Sequence, residues 1–339
     1  MIRPALIRHG TDGDSPGVIA LIQRCWADYP GCILDVEREE PGLLAPASDY
    51  AARGGALWVA EDAGAIVGMI AAAPLDGGRW EVCKVYVHPD RHGTGLAHQL
   101  LDVAEAHAMA AGATRLVLWT DTRFDRAHRF YERRSWVRDG PIRALDDISN
   151  SLEFGYAKPV DGVAALGAAA AASAVRRLAD ILVACVEGGA SVSYLRPLAP
   201  AVAQAHMRVA ASGVAQGACI LLGAWAGGVL AGTVRVQLDT PQNQPHRGEV
   251  AKMLVDPAYR NRGMGRMLML AAEAAAMHAG RTLLTLDTHT GGVAERMYAG
   301  LGWTEAGRVP GYALDGNGQP SGATFFYKVL GADGATPVR

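Results

Sequence analysis

The sequence predicts an α/β (α+β) protein made of two tandem domains, each a mixed, mostly antiparallel twisted sheet with helices on both faces. Three observations lead there. A chain of 339 residues is about two domains long. Its halves repeat one another. Within each half, a hairpin, a strand, a glycine-containing loop, a helix, a strand, a helix and a last strand follow in order. The expected boundaries are 1–159 and 160–333.

The repeat is direct. Glu81 to Thr122 laid over Glu249 to Thr290, at an offset of 168 and without a gap, gives 19 identities in 42 positions. Matches include Glu81/Glu249, Lys84/Lys252, Pro89/Pro257, Gly95/Gly263, Glu105/Glu273 and Gly112/Gly280. At an offset of 167 the match resumes with Tyr131/Tyr298 and Trp136/Trp303. A repeat this long is a whole domain, not a solenoid unit.

The elements follow from local pattern. Trp58 to Ala60 with Ile66 to Ala73, and Ile220 to Ala224 with Val229 to Leu238, are apolar runs parted by turn residues, which reads as a hairpin in each half. Glu81 to Val87 and Glu249 to Val255 are rich in apolar and β-branched residues, and each ends near a proline that cannot continue a ladder. Helices are expected at Ala97 to Ala111 and Gly265 to Ala279, stopped by Gly112 and Gly280. Strands follow at Arg115 to Thr120 and Leu283 to Thr288, then a helix carrying the tyrosine, then strands near Ser151 to Ala157 and Thr324 to Leu330. The alanine-rich stretch from Ala164 to Ala174 could be a flexible linker. Alanine is the best helix former, however, and the run leads into VRRLADILVACV, so it is expected to open the first helix of the second domain.

Composition excludes several classes. The chain is 50 % hydrophobic and 19 % charged, with a net charge of -2. No run of lysines and arginines offers a footprint for nucleic acid or anionic lipid. Five scattered cysteines, never in a CxxC pair, suggest neither a disulfide framework nor a zinc site. His88, His92, His98 and His107 do not share one helical face and have no completing carboxylate, so solvated surface histidines are expected and no metal site. With no signal-like segment and no long apolar run, the expected compartment is the cytoplasm. A homodimer is an open possibility.

The chemistry is concentrated in the strand, loop and helix unit. Arg260, Asn261, Arg262, Gly263, Met264 and Gly265 form an RxxGxG element directly after a strand and before a helix. Glycines let the backbone curl so that N–H groups converge, and a helix N-terminus adds partial positive charge, which together suit a pyrophosphate. Arg260, Arg262 and Arg266 can add side-chain contacts. The first half offers His92, Gly93, Thr94, Gly95, Leu96 and Ala97. A dinucleotide-binding GxGxxG is the rival, but neither loop has its third glycine and neither follows the first strand of its half.

KMLVDPAYRNRGMGRMLMLAAEAAA and AERMYAGLGW resemble the strand four, pyrophosphate loop, helix three and tyrosine helix of the GNAT N-acetyltransferase superfamily. The first half resembles it through KVYVHPDRHGTGLAHQLLDVAEAHA and AHRFYERRSW, with departures at His92, Ala97 and Ser135. From about Ala165 onward the chain is similar to tabtoxin-resistance-type acetyltransferases. That resemblance implies two tandem GNAT folds with a splayed cleft between strands four and five, acetyl-CoA as co-substrate, and a small zwitterionic or cationic amine as acceptor. A peptide or protein N-terminus is the next acceptor class.

The resemblance also implies roles. A bulge in strand four would free backbone groups of Met253, Leu254 and Val255, and of Val85, Tyr86 and Val87 in the first half, to bond the pantetheine arm. Glu249 and Asp287 would flank the acceptor and serve as base, directly or through water; Glu249 could instead pair with Lys252 or Arg247, and Asp287 could simply bind an ammonium. Tyr298 would protonate the departing thiolate, or alternatively be a buried partner of Trp303. Tyr131 and Glu81 hold the matching places in the first half, where Trp119 replaces Asp287. The reading of another class is a non-catalytic acyl-CoA binding protein in which one degenerate domain senses or scaffolds.

Overall fold

The computed structural model describes residues 4–331, so the ends of the expected domains at 1–3 and 332–333 lie outside the described residues. The chain forms two compact units, Met1–Tyr131 with Arg138–Val160, and Glu132–Val137 with Asp161–Arg339.

The first unit is built on β1 (Leu6–His9), α1 (Ser15–Trp26), α2 (Pro46–Ala52), β2 (Ala56–Asp62), β3 (Ala65–Pro74), β4 (Arg79–Val87), α3 (Leu96–Ala110), β5 (Arg115–Asp121), α4 (Asp125–Arg133), β6 (Val137–Arg138), β7 (Arg143–Ala144) and β8 (Leu152–Pro159), with Glu132, Arg133 and Val137 of α4 and β6 counted in the second unit. Its sheet runs β1-β2-β3-β4-β5-β8-β6, with β7 also on β8. Every sheet pairing with a described register is antiparallel except β4 with β5. On one face, Val18, Leu21 and Ile22 of α1 and Tyr50 of α2 pack on Leu57, Val59, Met69, Ala71 and Ala73. Leu100, Leu101, Ala104 and Ala108 are the buried stripe of α3, which packs on β3 and β4.

The second unit contains β9 (Gly162–Ala165), α5 (Ala168–Glu187), α6 (Pro200–Ala215), β10 (Cys219–Ala226), β11 (Val229–Gln237), β12 (Arg247–Val255), α7 (Met264–His278), β13 (Leu283–His289), α8 (Val293–Gly300), β14 (Thr304–Leu314) and β15 (Pro320–Val329). The order is β14-β15-β13-β12-β11-β10-β9, with β12 and β13 parallel. Its two faces separate by strand alternation. Leu221, Trp225, Leu230 and Leu254 meet α5 and α6, while Leu222, Ala224, Val234, Val236, Val250, Leu284 and Leu286 meet α7 and α8. Two mixed sheets with helices on both faces are therefore present, as expected.

Both long helices end as their sequences predict. Gly112 and Gly280 adopt φ of 87° and 77°, where an L side chain is disfavoured, and their N–H groups close the last turn onto Met109 and Met277.

Three expectations are corrected. Ala164 and Ala165 belong to β9, paired with Gly223 and Leu222, and the helix begins only at Ala168. Sheet pairing overrides alanine's helix preference there. The last strand starts earlier, at Pro320, because it pairs with β14 (Thr304–Leu314), an element the sequence pattern did not suggest. His107 is not a solvated surface residue: its ring lies between Trp58 and Trp80, at centroid distances of 5.0 and 5.4 Å.

Candidate active site

Each sheet opens at the same place. The β12–β13 ladder pairs Arg247 with Leu283, Gly248 with Leu284 and Glu249 with Thr285, and then stops. The β4–β5 ladder pairs Arg79, Trp80 and Glu81 with Arg115, Leu116 and Val117, and stops at the equivalent residue. On their other edges both strands stay paired out to Val255 and Val87. The cause is local. Lys252 and Lys84 adopt φ of 54° and 55°, and the registers against β11 and β3 shift between Thr233 and Arg235 and between Met69 and Ala71. A bulge bends its strand and raises the twist, so the parallel neighbour falls away. Met253, Leu254 and Val255, with Val85, Tyr86 and Val87, lie on the opened stretches.

The glycine loops stand at the mouths of these clefts. In the second unit Asn261 and Gly263 both have left-handed φ, 62° and 76°, and Gly263 is the N-cap of the 15-residue α7. Gly93 and Gly95 repeat this at 77° and 87° before α3. A Cβ built on Gly263 or Gly95 meets nothing within 4 Å, which leaves space over the helix N-terminus. Gly265 does not curl the loop. It is the second residue of α7, where a Cβ would come 3.1 Å from Met297 Sδ, so Ala97 at the matching helical position costs no backbone strain.

Arg260 Nε donates to Val255 O at 3.2 Å, and His92 Nε2 contacts Val87 O at 3.1 Å, so histidine takes over this loop contact in the first unit. The same two carbonyls accept Cys185 Sγ at 3.3 Å and Cys25 Sγ at 3.4 Å, an equivalence the cysteine spacing did not reveal. Arg262 lies over the Tyr259 ring, and Arg262 and Arg266 are exposed at the loop. Met264 and Leu96 turn their side chains into the core, leaving only backbone to the loop surface. A donor set of helix N-terminus, left-handed backbone and arginines fits a pyrophosphate.

Glu249 stands at the fork, 49 % exposed, with Arg247 Nη1 at 3.7 Å from its carboxylate. Arg247 also donates to Thr285 Oγ1. Asp287 is exposed on β13, two residues past Thr285. Tyr298 is buried, its ring 6.1 Å from Trp303 and 6.0 Å from Phe326. Burial, and then the Asp287 carboxylate, push its hydroxyl above the usual phenol range. In the first unit burial likewise raises Tyr131, followed by Cys83 and Tyr156. Glu81 is 3.6 Å from Arg53, Lys84 is ion-paired with Glu40, and Trp119 lies beneath the Arg143 guanidinium at 4.2 Å. Among the described residues no three His, Cys, Asp or Glu side chains come together as a metal site.

Residues 19–136 and 191–303 each match the acetyltransferase (GNAT) family, together more than half of the chain. The fold and the paired clefts are those of an acyltransferase, and the chain belongs to the acetyltransferase (GNAT) family, which it contains twice in tandem. It is similar to the uncharacterised N-acetyltransferase YjgM of Escherichia coli K12, 32 % identical over 132 residues that cover 38 % of this chain and 78 % of that protein. Among solved structures it is similar to a GNAT-family acetyltransferase from Staphylococcus aureus Mu50, 20 % identical over 46 % of this chain and 98 % of that one, with a TM-score of 0.41. It is also similar to YncA of Salmonella typhimurium, a putative acetyltransferase solved with its cofactor acetyl-CoA, 17 % identical over 53 % and 99 %, with a TM-score of 0.43. No helix among the described residues is long and apolar enough to cross a membrane.

Proposed function

We propose that the protein moves an acetyl group from acetyl-CoA to the primary amine of a small molecule, and that the C-terminal domain, 160–333, carries this transfer. The observation that carries the reading is the early end of the β12–β13 ladder at Glu249, beside a left-handed loop on a helix N-terminus. An open strand edge offers the amide-bearing pantetheine arm a place to add as a strand. Met253, Leu254 and Val255 supply that edge, and one freed N–H polarises the thioester carbonyl as an oxyanion donor. Arg260, Asn261, Arg262, Gly263, Met264, Gly265 and Arg266 surround the pyrophosphate.

An amine with a pKa of about 10 is mostly protonated near neutrality and must lose a proton before attacking. Glu249, at the fork and open to solvent, takes that proton directly or through water, with Asp287 holding the ammonium beforehand. Tyr298, kept protonated by its burial, returns a proton to the leaving thiolate. The test is release of free thiol from acetyl-CoA with a panel of amines, alongside a coenzyme-induced rise in stability of about 2.7 kcal/mol at a hundredfold excess over Kd. No stabilisation and no thiol release with any amine would refute the reading.

A second reading applies to the N-terminal domain, 1–159. Its Lys84 is ion-paired with Glu40, and Trp119, in the place of Asp287, lies beneath Arg143, which suits a domain that binds the coenzyme through His92, Gly93, Thr94, Gly95, Leu96, Ala97, Val85, Tyr86 and Val87 and transfers poorly.

A further inference from the structure

Arg235 lies midway along β11, between Leu221 of β10 and Ala251 of β12. Its neighbours Val234 and Val236 point to the α7 core, so alternation turns Arg235 towards α5 and α6. There it is half-buried, its Nε is sealed from solvent, and its guanidinium has no hydrogen bond or ion pair among the described residues. Beside it, His206 of α6 also has a sealed and unpartnered Nε2. Lys252, one residue past Ala251, donates to Ser193 Oγ at 2.9 Å and forms no ion pair among the described residues. Tyr194, next in the chain, packs its ring on His206 at 5.7 Å. Three cationic or donor groups thus lie near one another on this face of the sheet, with a hydroxyl and a phenol beside them. Burial lowers the proton affinity of both His206 and Lys252; Lys252 and Arg235 lower that of His206 further, and Arg235 that of Lys252, which Asp287 and Glu249 partly restore.

Burying an unpaired guanidinium is costly unless an anion meets it. The first unit shows what happens where none is needed. Ala71 takes the place of Arg235 against Cys83, Tyr50 fills the space above and contacts Cys83 Sγ, and Lys84 is neutralised by Glu40. The second unit keeps the sheet and the bulge but gives Arg235 no acid partner among the described residues, while Lys252 has Asp287 and Glu249 near it without an ion pair. Glu249, two residues from Ala251 on the same strand, puts a carboxylate about 7 Å along the same face. This face of the sheet is dipolar, negative at the fork where an amine must react and positive under α6.

We infer that Arg235, Lys252 and His206 form a carboxylate-binding subsite, so that the acceptor of the second domain is a small amino acid whose amine is presented to Glu249 and Asp287. This rests on the proposed amine acetyl transfer and names the acceptor within it. Arg235 supplies the planar fork that matches a carboxylate, Lys252 the point charge, and His206 Nε2 a third contact.

The test is calorimetry on the full chain in saturating coenzyme A, with probe pairs that differ only in the carboxylate: L-lysine against cadaverine, and L-tyrosine against tyramine. At least one acid should bind about 10- to 100-fold more tightly than its amine, the worth of one or two charge-assisted hydrogen bonds. Arg235→Gln should abolish that difference, Arg235→Lys should restore part of it, and coenzyme-induced thermal stabilisation reports that both variants are folded. Equal affinities within both pairs, no binding by either acid, or an undiminished preference in Arg235→Gln overturns the subsite. If thiol release from acetyl-CoA then proceeds with cadaverine or tyramine, acetyl transfer stands and only the acceptor class is wrong. If nothing releases thiol and coenzyme A does not bind, the functional reading itself has failed.

Discussion

Lys158 Nζ lies 2.8 Å from Glu105 Oε1, with only 2 % and 7 % of the two side chains exposed. The second unit repeats the pair as Lys328 with Glu273, also at 2.8 Å but with Lys328 22 % exposed; Trp303 Nε1 donates to the Glu273 carboxylate. The repeat therefore duplicates a buried charge as well as a site.

Removing one member of a buried ion pair leaves the other's charge without its counter-ion. Lys158→Met is expected to destabilise the protein by about 3–5 kcal/mol, because the Glu105 carboxylate would lose its cation in a dry setting. Adding Glu105→Leu should recover part of the loss. Lys328→Met should cost less, since that lysine is nearer to solvent. Urea unfolding of the three variants checks the order, and a Lys328→Met more damaging than Lys158→Met would show that burial does not set these energies.

Gly263→Glu should remove one coenzyme equivalent of two, measured by calorimetry on the full chain. Nothing crowds a Cβ there, so the effect comes from the left-handed φ and from a negative charge at the helix N-terminus where the pyrophosphate is expected. Gly263→Asn, which tolerates that conformation, should keep both equivalents. A Gly263→Glu protein that still binds two would mean that this loop is not the phosphate site.

The loop, the long helices and the central strands were legible because glycine, proline and apolar periodicity mark them locally and the repeat states them twice. β14 was not. Thr304 to Leu314 is exposed almost throughout and carries Gly307, Pro310 and Gly311, so nothing in it reads as a strand until β15 pairs with it. The cluster at Arg235 was equally hidden. Arg235 on β11, His206 on α6 and Ser193 in the loop before α6 carry no shared local pattern, and only Lys252, through its match with Lys84, gave a sign that the bulge carries a cation.

Arg8 grips Asp14 with two hydrogen bonds of 2.7 and 2.8 Å and holds its carboxyl down to about 2. An unfolded aspartate titrates near 3.9. A depressed folded value means that the stabilisation is fully present above about pH 4 and is lost as pH falls towards 2. Thermal unfolding followed from pH 5 to pH 2 should show this decline, and Asp14→Asn should flatten it while lowering stability at pH 7. An unaltered acid limb in Asp14→Asn would remove this pair from the acid response.

Tyr298 and Glu249 are expected to act as acid and base, with the second domain dominant. The asymmetry is physical: Glu249 is 49 % exposed at the fork against 21 % for Glu81, each with an arginine at 3.6–3.7 Å, and Lys84 is ion-paired with Glu40 whereas Lys252 forms no ion pair among the described residues. Loss of a general acid or base typically costs 10² to 10⁴ in rate, about 3–5 kcal/mol of barrier. Tyr298→Phe and Glu249→Gln should lower kcat by that order with coenzyme affinity retained, while Tyr131→Phe and Glu81→Gln change it little on the same amine. The pH profile adds a second readout. Burial, and then Asp287, raise the Tyr298 hydroxyl above the ordinary phenol value of about 10, so it stays protonated while the amine loses its proton. The wild-type kcat should therefore rise from neutral pH and show no descending limb below about pH 10. A descending limb near pH 8 that disappears in Tyr298→Phe would mean that the tyrosine titrates far lower than its burial dictates. If the Tyr131 and Glu81 variants are instead the crippled pair, the transfer belongs to the first domain.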